Sequence, residues 1–146
     1  MVFERLLTIL SKKEKSFKME YNLRKEEKFC LFTPLEKNLN RAISADLKAE
    51  FVFLQNEGVK NLIIDLSQVE FIDSDGLSAL LMARRNFTEQ NGSFVITGDI
   101  QPNVTTMFKI SKLSEVLNII VAEEEAIEFV FMEELEREIN SDAPSE

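Results

Sequence analysis

The sequence predicts an α/β fold, a single domain whose mixed central sheet of four to five strands is covered by about four helices. Two observations carry that expectation. From residue 28 onward, apolar runs of strand length alternate with segments whose apolar residues recur every three or four positions. The run Asn61-Leu62-Ile63-Ile64-Asp65-Leu66 has both faces apolar, as in the interior of a sheet covered by helices. With 146 residues the chain fits one domain that buries about two-thirds of its unfolded surface.

The elements follow in order. Residues Met1 to Ser16 hold Val2, Phe3, Leu6, Leu7, Ile9 and Leu10 at near-helical spacing, then lysines, which reads as a short amphipathic helix or arm. Phe17–Asn22 and Lys28–Thr33 read as two strands joined by a charged turn around Arg24-Lys25-Glu26. Ile43, Leu47, Phe51 and Leu54 line one face of a helix that Gly58 ends. After the apolar strand, a second helix starts near Gly76 with Leu77, Leu80, Leu81 and Phe87 on one side and stops at Gln90-Asn91-Gly92. Ser93–Thr97 is a strand, Val104, Met107 and Phe108 mark a third helix, and Leu117–Val121 is a last strand. Ala122, Ala126, Phe129 and Val130 form the inner face of a final helix. Leu62, Ile64, Leu77, Leu81 and Phe94 are expected in one core. From Glu133 the chain turns acidic, and the last six residues are polar enough to be expected disordered. The chain thus divides into an arm (1–16), a domain (17–132) and an acidic extension with its tail (133–146).

Composition excludes several classes of function. A net charge of −9 argues against a nucleic-acid partner, because non-specific binding to phosphates needs clustered Lys and Arg. The only basic group, Lys12, Lys13, Lys15 and Lys18, has no interleaved aromatic beyond Phe17 and reads as a solvated stretch. Cys30 is the single cysteine, so no intramolecular disulfide forms, in keeping with a reducing, cytoplasmic setting. It lies in the apolar run Lys28-Phe29-Cys30-Leu31-Phe32 and is expected to be a buried structural thiol. No apolar run approaches the roughly 20 residues that insert across a bilayer. The N-terminus lacks a signal-peptide cleavage site, and Glu4 and Arg5 interrupt its apolar run. The chain has no histidine, which removes Ser-His and Cys-His nucleophile pairs and the commonest metal ligand together. No cofactor, no metal and no enzymatic activity are expected.

The informative stretch is Asp65-Leu66-Ser67-Gln68-Val69-Glu70-Phe71-Ile72-Asp73-Ser74-Asp75-Gly76-Leu77. It leaves a buried strand and enters a helix, where α/β sheets place their sites. Ser74 and Asp75 are both good N-cap residues, so starting a helix would by itself account for them. Two chemical readings are weaker. Asp65 as a phosphoryl acceptor would need an acidic pair at an earlier strand end and a lysine near the last strand. The earlier strands end in Thr33-Pro34 and Asn22, and Leu117–Val121 has no lysine beside it. Asp73 and Asp75 as an Asp-x-Asp metal pair would need further ligands, and no such cluster is visible.

The pattern Asn61 to Ser67, Val69, then Phe71-Ile72-Asp73-Ser74-Asp75-Gly76-Leu77 resembles the STAS domain family, and within it the stand-alone anti-anti-sigma factors, over residues 17–132. The resemblance implies a bacterial, cytoplasmic regulator of transcription that docks onto an anti-sigma factor which is also a serine kinase. It implies that the kinase phosphorylates Ser74, that the unphosphorylated form binds the kinase and releases its sigma factor, and that a serine phosphatase resets the cycle. The partner-binding residues it implies are Asp73, Ser74, Asp75, Gly76, Leu77 and Asn40. Two positions depart from the family: Asp75 stands where many members have a second serine, and Lys37-Asn38-Leu39-Asn40 stands for the frequent Gly-Glu-Leu-Asp. Asn40 should persist as a polar loop or cap residue. The alternative is a STAS scaffold or regulatory subunit of a larger, membrane-associated complex that binds without phosphorylation. The arm could mediate self-association.

Overall fold

The structure, a computed structural model, describes residues 19–142. In chain order the elements are β1 (Tyr21–Lys25), β2 (Cys30–Pro34), β3 (Asn38–Leu39), α1 (Arg41–Asn56), β4 (Asn61–Asp65), β5 (Phe71–Ile72), α2 (Ser74–Glu89), β6 (Ser93–Thr97), α3 (Pro102–Ile110), a 3-10 turn (Leu113–Glu115), β7 (Asn118–Ile119) and α4 (Glu123–Asp142). The main sheet has the order β1-β2-β4-β6-β7, and β3 pairs with β5 in a separate two-stranded ribbon. Only β1–β2 is antiparallel; β2–β4, β4–β6 and β6–β7 are parallel, each joined by a helical crossover. The sheet is therefore mixed, with four helices around it among the described residues.

The inner strands are apolar on both faces because both faces are covered. Cys30, Phe32, Leu62, Ile64, Phe94 and Ile96 face the larger core with residues of α1, α2 and α3. Leu31, Ile63 and Val95, one residue out of phase, face Ala126 and Val130 of α4. A chain of rings ties the larger core together: Tyr21 stacks on Phe32 at 4.5 Å, Phe32 meets Phe51, Phe51 meets Phe94, and Phe94 meets Phe87. Cys30 is buried, and desolvation pushes its thiol above the usual cysteine range, with Lys25 opposing; the thiol is structural.

Three expectations are corrected. The first strand includes Arg24 and Lys25, and the turn falls at Glu26 to Phe29, closed by the Glu26 N–H donating to the Phe29 carbonyl. Arg24 is kept in the strand because its guanidinium pairs with Glu123 at 3.2 Å and lies over the Phe29 ring. Leu81 is 40% exposed, and Leu80 is fully buried in its place. The inward face of α2 centres on Leu77, Leu80, Ala83 and Phe87, and a residue four after Leu77 falls at its outer edge. Ser141 and Asp142, expected to be disordered, close α4. Its later turns are anchored by Glu133, Glu134 and Arg137 to buried Asn61 and Ser93. Two elements carry no periodicity in the sequence at all, β3 and β5, each of two residues. The proposed arm, with Phe17 and the lysines, lies outside the described residues.

Candidate functional site

The site is a pair of strand–cap–helix units laid side by side. β3 and β5 run parallel with Leu39 opposite Ile72, so the residues that follow them, Asn40 and Asp73, also become neighbours. Each caps a helix. Asn40 Oδ1 accepts from the Ile43 N–H at 3.3 Å at the start of α1. Asp73 Oδ1 accepts from the Asp75 and Gly76 N–H groups at 2.9 and 3.0 Å at the start of α2. The second Asp73 oxygen, Oδ2, accepts from the Arg41 N–H at 3.2 Å, in the other helix. The Asp73 N–H donates to the Leu39 carbonyl at 3.2 Å, and the Ser44 hydroxyl donates to the Asp75 carbonyl at 2.9 Å. One carboxylate thus serves three backbone donors from two helices.

That arrangement revises the role of Ser74. The cap of α2 is Asp73, and Ser74 is the first helical residue, exposed, with its hydroxyl outside the capping bonds. Asp75 lies in the first turn, where a carboxylate is favoured by the helix dipole without capping it. Asn40 is the cap its sequence position suggested. Gly76 is buried, and its lack of a side chain is required: a Cβ there would collide with the Leu39 carbonyl oxygen and lie 2.7 Å from Cγ1 of Ile72. Leu77 turns into the larger core. Of the six residues assigned to partner binding, Ser74 is exposed, Asn40, Asp73 and Asp75 are half-buried, and Gly76 and Leu77 face inward and place the others.

Phe71, which sequence reasoning passed over, is 53% exposed three residues before Ser74. In a two-residue strand one side chain turns in and the next out; Ile72 is buried, so Phe71 faces solvent. The sequence held no signal for it, because a strand of two residues is too short to show alternation. Asp65, at the end of β4, has its Oδ1 accepting from the Ser67 N–H at 2.9 Å and shapes the turn. Among the described residues no group of three or more His, Cys, Asp or Glu side chains is placed to hold a metal ion. Nor, among them, is any helix long and apolar enough to cross a membrane.

Comparison with known proteins places this geometry. The profile described as the STAS domain matches residues 4–126. A Bordetella bronchiseptica protein, BtrV, named as a candidate anti-sigma factor antagonist, is 27% identical over 81 residues, 56% of this chain and 69% of its own. The crystal structure of an anti-sigma factor antagonist from Mycobacterium paratuberculosis superposes with a TM-score of 0.68 at 16% identity, over 77% of this chain and 94% of that one. The Bacillus cell fate determinant SpoIIAA, solved in its phosphorylated form, gives 0.58 at 21% identity over 76% and 99%. At these identities the two structures speak for the fold.

Proposed function

The chain belongs to the STAS domain family, and from that premise we propose that it is an anti-sigma factor antagonist switched by phosphorylation at Ser74. The unphosphorylated face, Ser74 with Phe71 beside it, docks onto an anti-sigma factor that is also a serine kinase, in the cytoplasm, and the chain acts as a regulator with no catalysis of its own. The observation that carries this reading is the exposed Ser74 hydroxyl at the head of α2, left outside the capping bonds because Asp73 makes them.

The physics of the switch follows from the double cap. A phosphoryl group adds about −1.5 to −2 charge and three acceptor oxygens. At a helix N-terminus the dipole favours that charge, so the fold tolerates it. Asp73 and Asp75 flank it and oppose it by repulsion, so a docking face that is apolar at Phe71 becomes strongly anionic a few residues away. A partner that buries this face loses affinity while the domain stays folded. A serine phosphatase would restore docking.

The experiment is to isolate the protein from its native cell, map phosphopeptides and identify the co-purifying partner by mass. Phosphate at Ser74 and a kinase-type anti-sigma partner bound to the unphosphorylated fraction support the proposal. Equal capture of both fractions, or no phosphate at Ser74 under any growth condition, turns the reading to a scaffold that binds without modification.

A further inference from the structure

Helix α4 has two apolar faces. Ala126 and Val130 are buried against Phe29, Leu31, Ile63 and Val95 of the sheet. Phe131, Met132, Leu135 and Ile139 are 46%, 56%, 48% and 60% exposed. Successive helical residues turn by about 100°, so these four share one stripe roughly 100° wide, opposite the sheet. The stripe is held rigidly. Glu133 accepts from the Ser93 hydroxyl at 2.6 Å, Glu134 from the Asn61 amide at 2.8 Å, and Arg137 donates to both Asn61 and Ser93 at 3.2 Å. Phe131 also meets the Phe29 ring edge-on at 6.2 Å. The family profile ends at residue 126, so the stripe lies beyond the part of the chain that it matches. A fixed, contiguous apolar face of this kind marks a contact surface.

Charge selects the occupant. The same helical rotation sets Glu124 and Glu128 at the N-terminal end of the stripe, Glu125 and Glu136 along one flank and Glu138 along the other. All five are exposed, and among the described residues none of them has an ion-pair partner. Arg137, the single cation of α4, is turned inward to Asn61 and Ser93. A second copy packing α4 on α4 would set these carboxylates against one another. An anionic lipid surface or a nucleic acid would meet the same repulsion. An apolar strip rimmed by uncompensated carboxylates instead complements a helix with apolar residues at i, i+3, i+4 and i+7 and Lys or Arg beside them.

We propose that the outer face of α4 is a second docking surface and that it takes a basic amphipathic helix of another protein. The apolar side chains of that helix seat among Phe131, Met132, Leu135 and Ile139, and its cations lie over the glutamates on either side. The surface is on the sheet face opposite α1 and α2, so it does not depend on Ser74. The test is an NMR titration of the isotopically labelled full chain with a synthetic helix of about four turns, leucines on one face and lysines on the other. Backbone signals should shift in α4 between Glu128 and Ile139 and stay fixed around Ser74. Leu135→Gln, at an exposed position that leaves the core intact, should weaken binding tenfold or more, and joint Glu136→Gln and Glu138→Gln substitution should weaken it several-fold. A peptide of the same composition with its leucines scattered should bind at least tenfold more weakly. An absence of binding, shifts centred outside α4, or affinity that Leu135→Gln leaves unchanged would overturn the proposal. So would equal affinity for the scattered peptide or for one with glutamates in place of lysines, self-association that Leu135→Gln abolishes, or binding seen only after residues 1–18 are removed.

Discussion

Asp73 and Arg41 lie in different halves of the site, yet the Asp73 Oδ2 accepts the Arg41 backbone N–H at 3.2 Å while Oδ1 caps α2. The carboxylate is the joint between the two helices that frame Ser74. Asp73→Ala orphans three donors at once. Loss of an ordinary N-cap costs about 0.5–2 kcal/mol, and with a second helix start involved the cost should reach about 2 kcal/mol or more. Asp73→Asn keeps one acceptor oxygen and should fall between. Asp75→Ala, which removes only a first-turn charge, should cost about 0.3–1 kcal/mol. Urea unfolding of the three variants orders them; an Asp75 variant as unstable as Asp73→Ala would reassign the cap.

Gly76→Ala tests the contact between the two units. Its Cβ meets the Leu39 backbone carbonyl, which cannot rotate aside as a side chain would. The β3 strand must shift, weakening the Asp73 N–H bond to the same carbonyl. Overpacking of this kind typically costs about 1–3 kcal/mol. A melting temperature equal to that of the unmodified protein would show that β3 slides freely and that the site is not rigid.

Leu80 and Leu81 are adjacent, and only one belongs to the core. Leu80→Ala should cost about 2–5 kcal/mol as a fully buried leucine truncated within the layer under the sheet. Leu81→Ala, at an exposed position, should move stability by about 0.5 kcal/mol or less. Chevron or equilibrium urea data on the pair decide the helix phase; equal costs would mean that α2 is rotated.

The architecture was legible because the long elements repeat one signal many times. Asn61–Leu66 and Ser93–Thr97 are apolar on both faces, and Ile43, Leu47, Phe51 and Leu54 hold one helical stripe. Where the signal was thin, reading failed. Leu77, Leu80, Leu81 and Phe87 fit one face loosely, and the true centre emerges only when small Ala83 is counted with them. The ribbon of β3 and β5 is two residues on each side, too short for any period, so the alignment of Asn40 with Asp73 and the outward Phe71 could not be seen. The cap turned on one residue of register: the sequence pointed to Ser74 and Asp75, and Asp73, of an equally good capping type, is the residue that caps.

Glu134 should shape the acid limb of stability. The Asn61 amide hydrogen bond, the strongest influence, holds its carboxyl below the ordinary value of 4.5; burial, next in size, opposes it, and Arg137 and Lys60 add to the lowering. A carboxyl with a lowered folded-state pKa contributes stability above its unfolded pKa and loses it as pH falls through the folded one. Between neutral pH and about 5 this contribution should stay constant. It should then decline as the solution becomes more acidic than the ordinary glutamate range. Glu134→Gln should flatten that decline while leaving the slope above pH 5 unchanged. Identical acid limbs for the two proteins would mean that the Asn61–Arg137 network places no demand on the charge.

Ser74 variants bear most directly on the switch. Because Asp73 makes the cap, Ser74→Ala should fold with a stability change of about 0.5 kcal/mol or less, even though serine is itself a capping residue. It should bind the isolated anti-sigma partner as tightly as unmodified protein and resist phosphorylation. Ser74→Glu places a carboxylate in the first turn of α2, where the dipole favours it, so it too should fold. Its charge must be desolvated without a matching cation when the face is buried, which costs several kcal/mol in an interface. Since about 1.4 kcal/mol is tenfold in affinity, calorimetric titration should register a loss of tenfold or more. Melting curves of all three proteins separate this loss from unfolding. A Phe71→Ala variant completes the set: truncating an exposed aromatic should leave stability unchanged yet weaken docking if the hydroxyl and the ring lie in one interface. Should Ser74→Glu bind as tightly as Ser74→Ala with both folded, the phosphorylation switch is wrong. Should Phe71→Ala then still weaken binding, the same face serves a scaffold.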